Sequence, residues 1–226
     1  MRAVRISPTE IVLLQGLFKH SILVECGDIK ECDEIMEALK SGRPHEKLRD
    51  LMPLGVRPAL PVEVLGDGLL ASALRAALSE AGVKFGPGLK IYATDSWRPS
   101  LLRKVDEEAR RSRHRYLPVF LALDLGVIGP LYEPGLPGYL CLEQQLTAST
   151  SWLFRSIRDY ADKEELQPDP LYLKFLAYLT AVMFKTGAVE ELRGRAVLVD
   201  FERFFIDVAR VYSTPLCEPY EVVSGL

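Results

Sequence analysis

The residues that could do chemistry in this 226-residue chain fall into three small groups. The first is a glycine-rich turn, Gly66-Asp67-Gly68-Leu69-Leu70-Ala71. It lies between an apolar segment, Val62 to Leu65, and a helical pattern from Leu69 to Glu80 in which Leu70, Leu74, Ala77 and Leu78 share one stripe. A G-x-G-x-x-A turn can bring backbone N–H groups against a phosphate at a helix N-terminus. The same glycines also serve a tight turn and close helix–strand packing with no ligand at all. A dinucleotide site needs an acid ~20 residues further on, at the end of a second strand. Here Val83-Lys84-Phe85 is cut off by Gly86-Pro87-Gly88, and no acid lies in that interval. The first acid after the next apolar run, Leu89 to Ala93, is Asp95. With Ser96 it is placed to cap the helix that Pro99 opens.

The second group is the cysteines: Cys26, Cys32, Cys141 and Cys217. A closed zinc site takes four Cys or His ligands, usually in two close pairs. The three histidines, His20, His45 and His114, lie far from Cys141 and Cys217 in sequence. Four scattered cysteines in a chain of this size are expected to be reduced and buried as small apolar side chains. The third group is a pair of acids, Glu133 and Glu143, flanking a Pro-Gly turn, where each can bond backbone. No G-x-S-x-G elbow is present, and no Cys–His pair can be drawn from spacing. No catalytic residue is assigned.

Composition narrows the class. A formal net charge of -3 argues against a dedicated nucleic-acid binder. The longest apolar run, Leu171 to Phe184, is interrupted by Lys174 and is shorter than the ~20 residues of a membrane span. The first residues carry no signal-peptide pattern, so a cytoplasmic protein is expected.

These groups have to be positioned by the rest of the chain. Ile11 to Leu17 and His20 to Cys26 read as two short antiparallel strands. A helix follows to Lys40, with Gly42 at its end, and another carries Leu48, Leu51 and Met52. Arg57-Pro58 and Leu60-Pro61 form a joint, because residues before proline avoid helical angles. The boundary is placed there, giving a module over residues 1–57 and a domain over 58–226. Pro99 to Arg113 is a helix. Its Asp106, Glu107, Glu108 and the arginines at 110, 111, 113 and 115 read as a solvated surface, with a docking patch for an acidic partner as the alternative. Leu117 to Leu125 is an apolar strand, and a helix from Glu143 or Thr147 runs to about Ala161 with Trp152, Leu153, Ile157 and Tyr160 inward. Leu171 to Lys185 is a helix apolar nearly all round. Leu173, Leu176, Thr180 and Phe184 face inward, and Phe175, Leu179, Val182 and Met183 need other cover, which makes a homodimer the expectation. Arg195 to Asp200 and Phe204 to Tyr212 close the chain as a hairpin.

The segment Ile128-Gly129-Pro130-Leu131-Tyr132-Glu133-Pro134-Gly135, followed by Tyr139-Leu140-Cys141-Leu142-Glu143, resembles the "iGPlv-PG" and "C-x-x-C-L-e" pattern of a known family. These are the ThiF-like, ubiquitin-activating-enzyme-like proteins of azole and azoline peptide biosynthesis, also called cyclodehydratase C-proteins or leader-peptide-binding partners of YcaO enzymes. Pro215-Leu216-Cys217-Glu218-Pro219-Tyr220 is similar to the family's terminal "P-x-C-x-x-C". Gly138 and Tyr220 stand where the family has its other two cysteines. The resemblance implies an α/β fold, with a reduced, Rossmann-derived ThiF-like domain preceded by a small winged-helix-like α+β module. Ala38 to Arg43 is similar to the leader-recognition module at the front of that family.

The resemblance further implies a non-catalytic partner that binds a ribosomally made precursor peptide, supports a YcaO-type cyclodehydratase, or both. Peptide binding falls to Ile22 and Val24, on a strand of the N-terminal module to whose sheet edge a peptide strand could add, and to Leu48 on its second helix. Gly66, Gly68 and Asp95 are the remnant of a cofactor site, Asp95 standing where ATP-using relatives hold a metal, and Cys141 and Cys217 the remnant of a metal site. Neither zinc nor ATP is expected, because two zinc ligands and the nucleotide-binding insert are missing. The alternatives are an ATP-dependent adenylating enzyme and an NAD(P)-dependent oxidoreductase.

Overall fold

The structure is a computed structural model that describes residues 2–15, 20–41, 61–149, 158, 160–162, 168–214 and 217. By its contacts the chain divides into two compact units, residues 1–59 with 186–188, and residues 60–185 with 189–226.

In the first unit, β1 (Arg2–Ser7), β2 (Glu10–Gln15) and β3 (His20–Glu25) form an antiparallel sheet in that order, followed by α1 (Ile29–Ser41). The sequence reading has β2 and β3 and misses β1. Arg2-Ala3-Val4-Arg5-Ile6 shows no period-two alternation, because each face mixes an arginine with apolar residues. A small core gathers Ile11, Val24, Cys26, Cys32 and Ile35. Cys26 and Cys32 are joined in a disulfide.

The second unit is a mixed α/β layer structure. Its elements are β4 (Val62–Leu65), α2 (Leu69–Glu80), β5 (Leu89–Thr94), α3 (Pro99–Ser112), β6 (Tyr116–Ala122), β7 (Leu125–Ile128), α4 (Tyr139–Ser149), α5 (Pro170–Thr186), β8 (Arg195–Asp200) and β9 (Phe205–Arg210). The six strands lie in sequence order. β4, β5 and β6 are parallel and joined by helices. β6 to β9 are antiparallel and joined at β6–β7 and β8–β9 by tight turns. The run expected as a single strand, Leu117 to Leu125, breaks after Ala122. Leu123 takes a left-handed φ of 57° and turns the chain back. No Gly or Asn marks this turn, which is why the residue types do not announce it.

Helices cover both faces of the sheet. On one face, α3 and α4 enclose a core with Leu102, Val105, Ala109, Tyr139 and Leu142 against Phe120 and Val127. On the other, α5 lies close over β7. A Cβ on Gly126 would come within 2.5 Å of Leu176, so this helix approaches as it does because residue 126 has no side chain. Leu173, Leu176, Thr180 and Phe184 of α5 are buried as expected. Met183, expected on the outer side, is fully buried. The wide apolar arc of α5 takes it into the core, while Phe175 and Val182 stay about half exposed. No described helix is long and apolar enough to cross a membrane.

Candidate functional site

The three parallel strands end on the same side, and the space outside their carboxyl ends is a cleft of ≈ 1110 Å³. Gly66 to Leu69 and Ala93 to Ser96 form its floor, with walls from the first turns of α3 and from Pro168 to Pro170 at the start of α5. In parallel α/β sheets this is the position where ligands sit.

The glycine-rich turn and Asp95 meet here. Both oxygens of the Asp95 carboxylate accept backbone hydrogen bonds from α2, one from Leu69 N–H at 2.8 Å and one from Leu70 N–H at 2.7 Å. A Cβ on Gly68 would lie 2.5 Å from that carboxylate, and one on Gly66 only 2.2 Å from the carbonyl oxygen of Ala93. Both glycines are therefore required by the approach of the chain's own β5 end. The expected cap by Asp95 on the following helix is corrected: Asp95 caps α2, the helix before it. Leu69 and Leu70 are brought to it by the parallel pairing of β4 with β5, a relation between residues 25 and 26 positions apart that local capping rules do not cover.

Two more helices begin at this cleft. α3 has no capping side chain of its own at Arg98. Asp162 supplies one from a distance, accepting from Ser100 N–H at 3.1 Å and from Ser100 Oγ at 2.5 Å. Asp169 accepts from Leu171 N–H at 2.8 Å at the start of α5. Three positive helix ends thus converge on one cleft, and each is met by an aspartate of the chain itself. The cleft's cations, Arg98 and Lys104, stand on its α3 side.

A second group of polar residues is buried beneath α4. Asp106 is fully buried. It accepts from the Tyr116 hydroxyl and from Tyr139 N–H at 3.0 Å, and pairs with Arg110 at 2.7 Å. Tyr139 in turn accepts from Trp97 Nε1 at 2.7 Å. Burial, then the Asp106 charge, raises the Tyr116 hydroxyl well above its ordinary value, and burial, then Glu143, does the same to Tyr139. The solvated reading of Asp106 and Arg110 is corrected. Leu102, Val105, Asp106 and Ala109 fall on one stripe at spacings of three and four, a signal that placed Asp106 on the buried side. A Cβ on Gly138 would sit 2.0 Å from Asp106 Oδ1. Glycine at 138 is what lets the carboxylate reach the start of α4.

Glu143 and Glu133 bind arginines rather than backbone. Arg103 grips Glu143 in a two-pronged pair, with Nε donating at 2.8 Å. Glu133 and Glu190 interleave with Arg115 and Arg193 in a four-member network, with contacts of 2.6 to 3.0 Å. Cys141 and Cys217, 76 residues apart, are joined in a disulfide with Cα atoms 5.0 Å apart. The expectation of reduced thiols is corrected at both pairs. Each cysteine is buried beside one specific partner, which four scattered sequence positions do not reveal. Tyr220 lies outside the described residues, and no cluster of three potential metal ligands occurs among those described.

Of the residues assigned to peptide binding, Val24 is in the core of the first unit, with its side chain against Ile11 and Ile35. Ile22 lies on β3, an edge strand of the three-stranded sheet, and Leu48 lies outside the described residues.

No protein-family model matches the sequence, and no curated protein matches it. Solved structures do. A heterocyclase in complex with substrate and cofactor aligns over 96% of this chain with a TM-score of 0.60 at 14% identity. The heterocyclase TruD aligns over 96% with a TM-score of 0.57 at 17% identity. A chain of the E. coli microcin synthetase McbBCD complex also aligns over 96%, with a TM-score of 0.57 at 13% identity. The chain spans 38% and 41% of the two heterocyclase chains and 97% of the microcin synthetase chain. The fold is shared with components of heterocyclases and microcin synthetases.

Proposed function

We propose that this chain is a non-catalytic partner in azole or azoline peptide biosynthesis, one that holds a ribosomally made precursor peptide or braces a YcaO-type cyclodehydratase. The observation that carries the reading is the Asp95 carboxylate at the start of α2. That helix end is where a G-x-G-x-x-A turn would receive a phosphate. An incoming phosphate would meet a negative charge already bonded to the amides it needs. The fold shared with a microcin synthetase chain of nearly the same length supports a subunit role over a self-contained enzyme. An adenylating or NAD(P)-dependent activity would have to displace Asp95 first. The first unit, with its three-stranded sheet and β3 edge, is the proposed peptide-binding ThiF-partner module, and neither zinc nor nucleotide is part of the reading.

The test is co-expression of the tagged chain with a YcaO-type enzyme and its precursor peptide, with calorimetry on the isolated protein. The expected result is a stable complex with enzyme or peptide and no heat of MgATP binding. Micromolar MgATP affinity, or pyrophosphate exchange by the isolated chain, would overturn it.

A further inference from the structure

A side chamber opens off the cleft. It has a volume of ≈ 200 Å³ and shares Asp95, Ser96, Pro168 and Asp169 with the larger space. Its other walls are Leu121 at the end of β6, and Leu123 and Asp124 in the β6–β7 turn. Three carboxylates therefore line it and no cation does, because Arg98 and Lys104 line only the larger cleft. The three carboxylates are not equally occupied. Asp95 commits both oxygens to the amides of Leu69 and Leu70. Asp169 commits one, to Leu171 N–H. Asp124 lies between two strands, away from any helix start, and its carboxylate has no partner among the described residues.

Two hydroxyls add an independent observation. Ser96 is 7% exposed and lines both chamber and cleft, and its hydroxyl has no hydrogen-bond partner among the described residues. Thr94 Oγ1, on the floor of the cleft, is buried without a partner. A buried hydroxyl left unpaired is unfavourable until water or a ligand completes it. The chain thus leaves polar groups of its own uncompleted at the place where an α/β sheet of this kind takes a ligand.

We propose that the chamber receives an aliphatic ammonium group, the side chain of a lysine on a peptide lying in the cleft. A recess lined by one sign of charge between apolar walls concentrates the opposite sign. Among the described residues no three Asp, Glu, His or Cys side chains come close enough to hold one metal ion. The carboxylates therefore surround a larger cation rather than gather on a small one. An ammonium offers three donors, which match the oxygens left on Asp124 and Asp169 and the Ser96 hydroxyl. Charge-assisted bonds of this kind are the strong ones. Leu121, Leu123 and Pro168 give an apolar lining for the methylene stem. The adjoining cleft of ≈ 1110 Å³ has room for the main chain that carries the side chain. That the peptide is a ribosomally made precursor rests on the partner reading, whereas the chemistry of the chamber does not.

An NMR titration of the purified full chain tests this with three probes: a blocked glycine peptide with one central lysine, the same peptide with norleucine in its place, and cadaverine. The lysine peptide is expected to shift the amides of Ser96, Leu123 and Asp124, and to bind about tenfold or more tightly than the norleucine peptide. Asp124→Asn with Asp169→Asn is expected to weaken it by a similar factor while far-UV circular dichroism stays that of the parent, since asparagine still caps α5. No response, an equal response to lysine and norleucine, or a double variant that binds as the parent does overturns the proposal. So does displacement of the lysine peptide by magnesium where sodium at equal ionic strength has no effect, since the chamber would then be a metal site. Cadaverine that binds more tightly than the lysine peptide keeps the ammonium and overturns the peptide as its carrier. A chain that binds the lysine peptide yet forms no complex with a YcaO-type enzyme or its precursor leaves the chamber standing and the partner reading fallen. A complex with no dependence on lysine does the reverse.

Discussion

Replacing Asp95 with alanine tests the most informative contact in the cleft. The substitution removes two charge-assisted bonds, to Leu69 N–H and Leu70 N–H, and nothing else on α2 takes their place, since Gly68 offers no side-chain cap. Losing an N-cap costs ~0.5–2 kcal/mol, and losing a negative charge at a helix N-terminus a further ~0.3–1 kcal/mol. Water in the open cleft can reach the freed amides and recovers part of that. The net expectation is about 2 kcal/mol, or a fall in Tm of roughly 4–8 °C for a chain of this size. Asp95→Asn keeps one acceptor oxygen and is expected to lose about half as much. Urea denaturation of the three proteins gives the comparison, with the slope checked for constancy. A loss under about 0.5 kcal/mol for the alanine variant would refute the claim that Asp95 anchors α2. The same variant bears on function. If the carboxylate is what keeps anions from the start of α2, Asp95→Ala gains affinity for inorganic phosphate that the parent lacks.

Three further outcomes follow from the buried groups. Gly138→Ala places a methyl 2.0 Å from Asp106 Oδ1, forces apart the pairing of Asp106 with Tyr116, Tyr139 and Arg110, and is expected to cost about 3 kcal/mol or more by denaturant titration. Cys217→Ser, or reduction of the parent protein, opens the loop of 76 residues closed through Cys141, with an expected loss of ~2–4 kcal/mol in denaturant midpoints with and without reductant. Tyr116 and Tyr139 both titrate well above the ordinary tyrosine value of 10.0. The unfolded chain therefore releases these protons first. Their contribution is fully present below pH 10 and is lost as pH rises beyond it, by up to ~1.4 kcal/mol per pH unit for each tyrosine. Tyr139→Phe is expected to make the alkaline slope shallower, and an unchanged slope would count against the burial argument.

The elements that repeat locally were legible in the sequence. α2, α3 and α5 follow their apolar stripes to within a residue or two, and the β8–β9 hairpin follows its run of Val, Ile and Phe. What the residue types conceal is contact across sequence distance. Asp162 caps a helix that starts some 60 positions earlier, Cys141 meets Cys217, and Asp95 reaches backward to α2 rather than forward to α3. Propensity rules weigh a residue against its neighbours, so Asp95 next to Pro99 reads as the forward cap. The parallel pairing of β4 with β5 settles the matter the other way. The β6–β7 turn was missed for a different reason, since Leu123 adopts a conformation its residue type disfavours and the sheet enforces it.

The cleft is best understood through its electrostatics. A parallel sheet flanked by helices delivers helix N-termini to one place whether or not a ligand is wanted, because each crossover returns the chain to the same side. An anion-binding protein leaves those amides for its substrate. Here α2, α3 and α5 each start at the cleft, and Asp95, Asp162 and Asp169 answer them in turn. The three carboxylates supply what a bound polyphosphate would, without the entropy of capturing one from solution. They also fix the first turns of three helices against each other, and those turns are the walls of the cleft. The walls of the cleft are thus held in place by the chain's own carboxylates. The distinguishing result is the behaviour of Asp95→Ala toward phosphate. Gain of binding with loss of stability fits a site filled from within, whereas loss of stability alone leaves Asp95 a cap and removes the electrostatic argument made for the proposed reading.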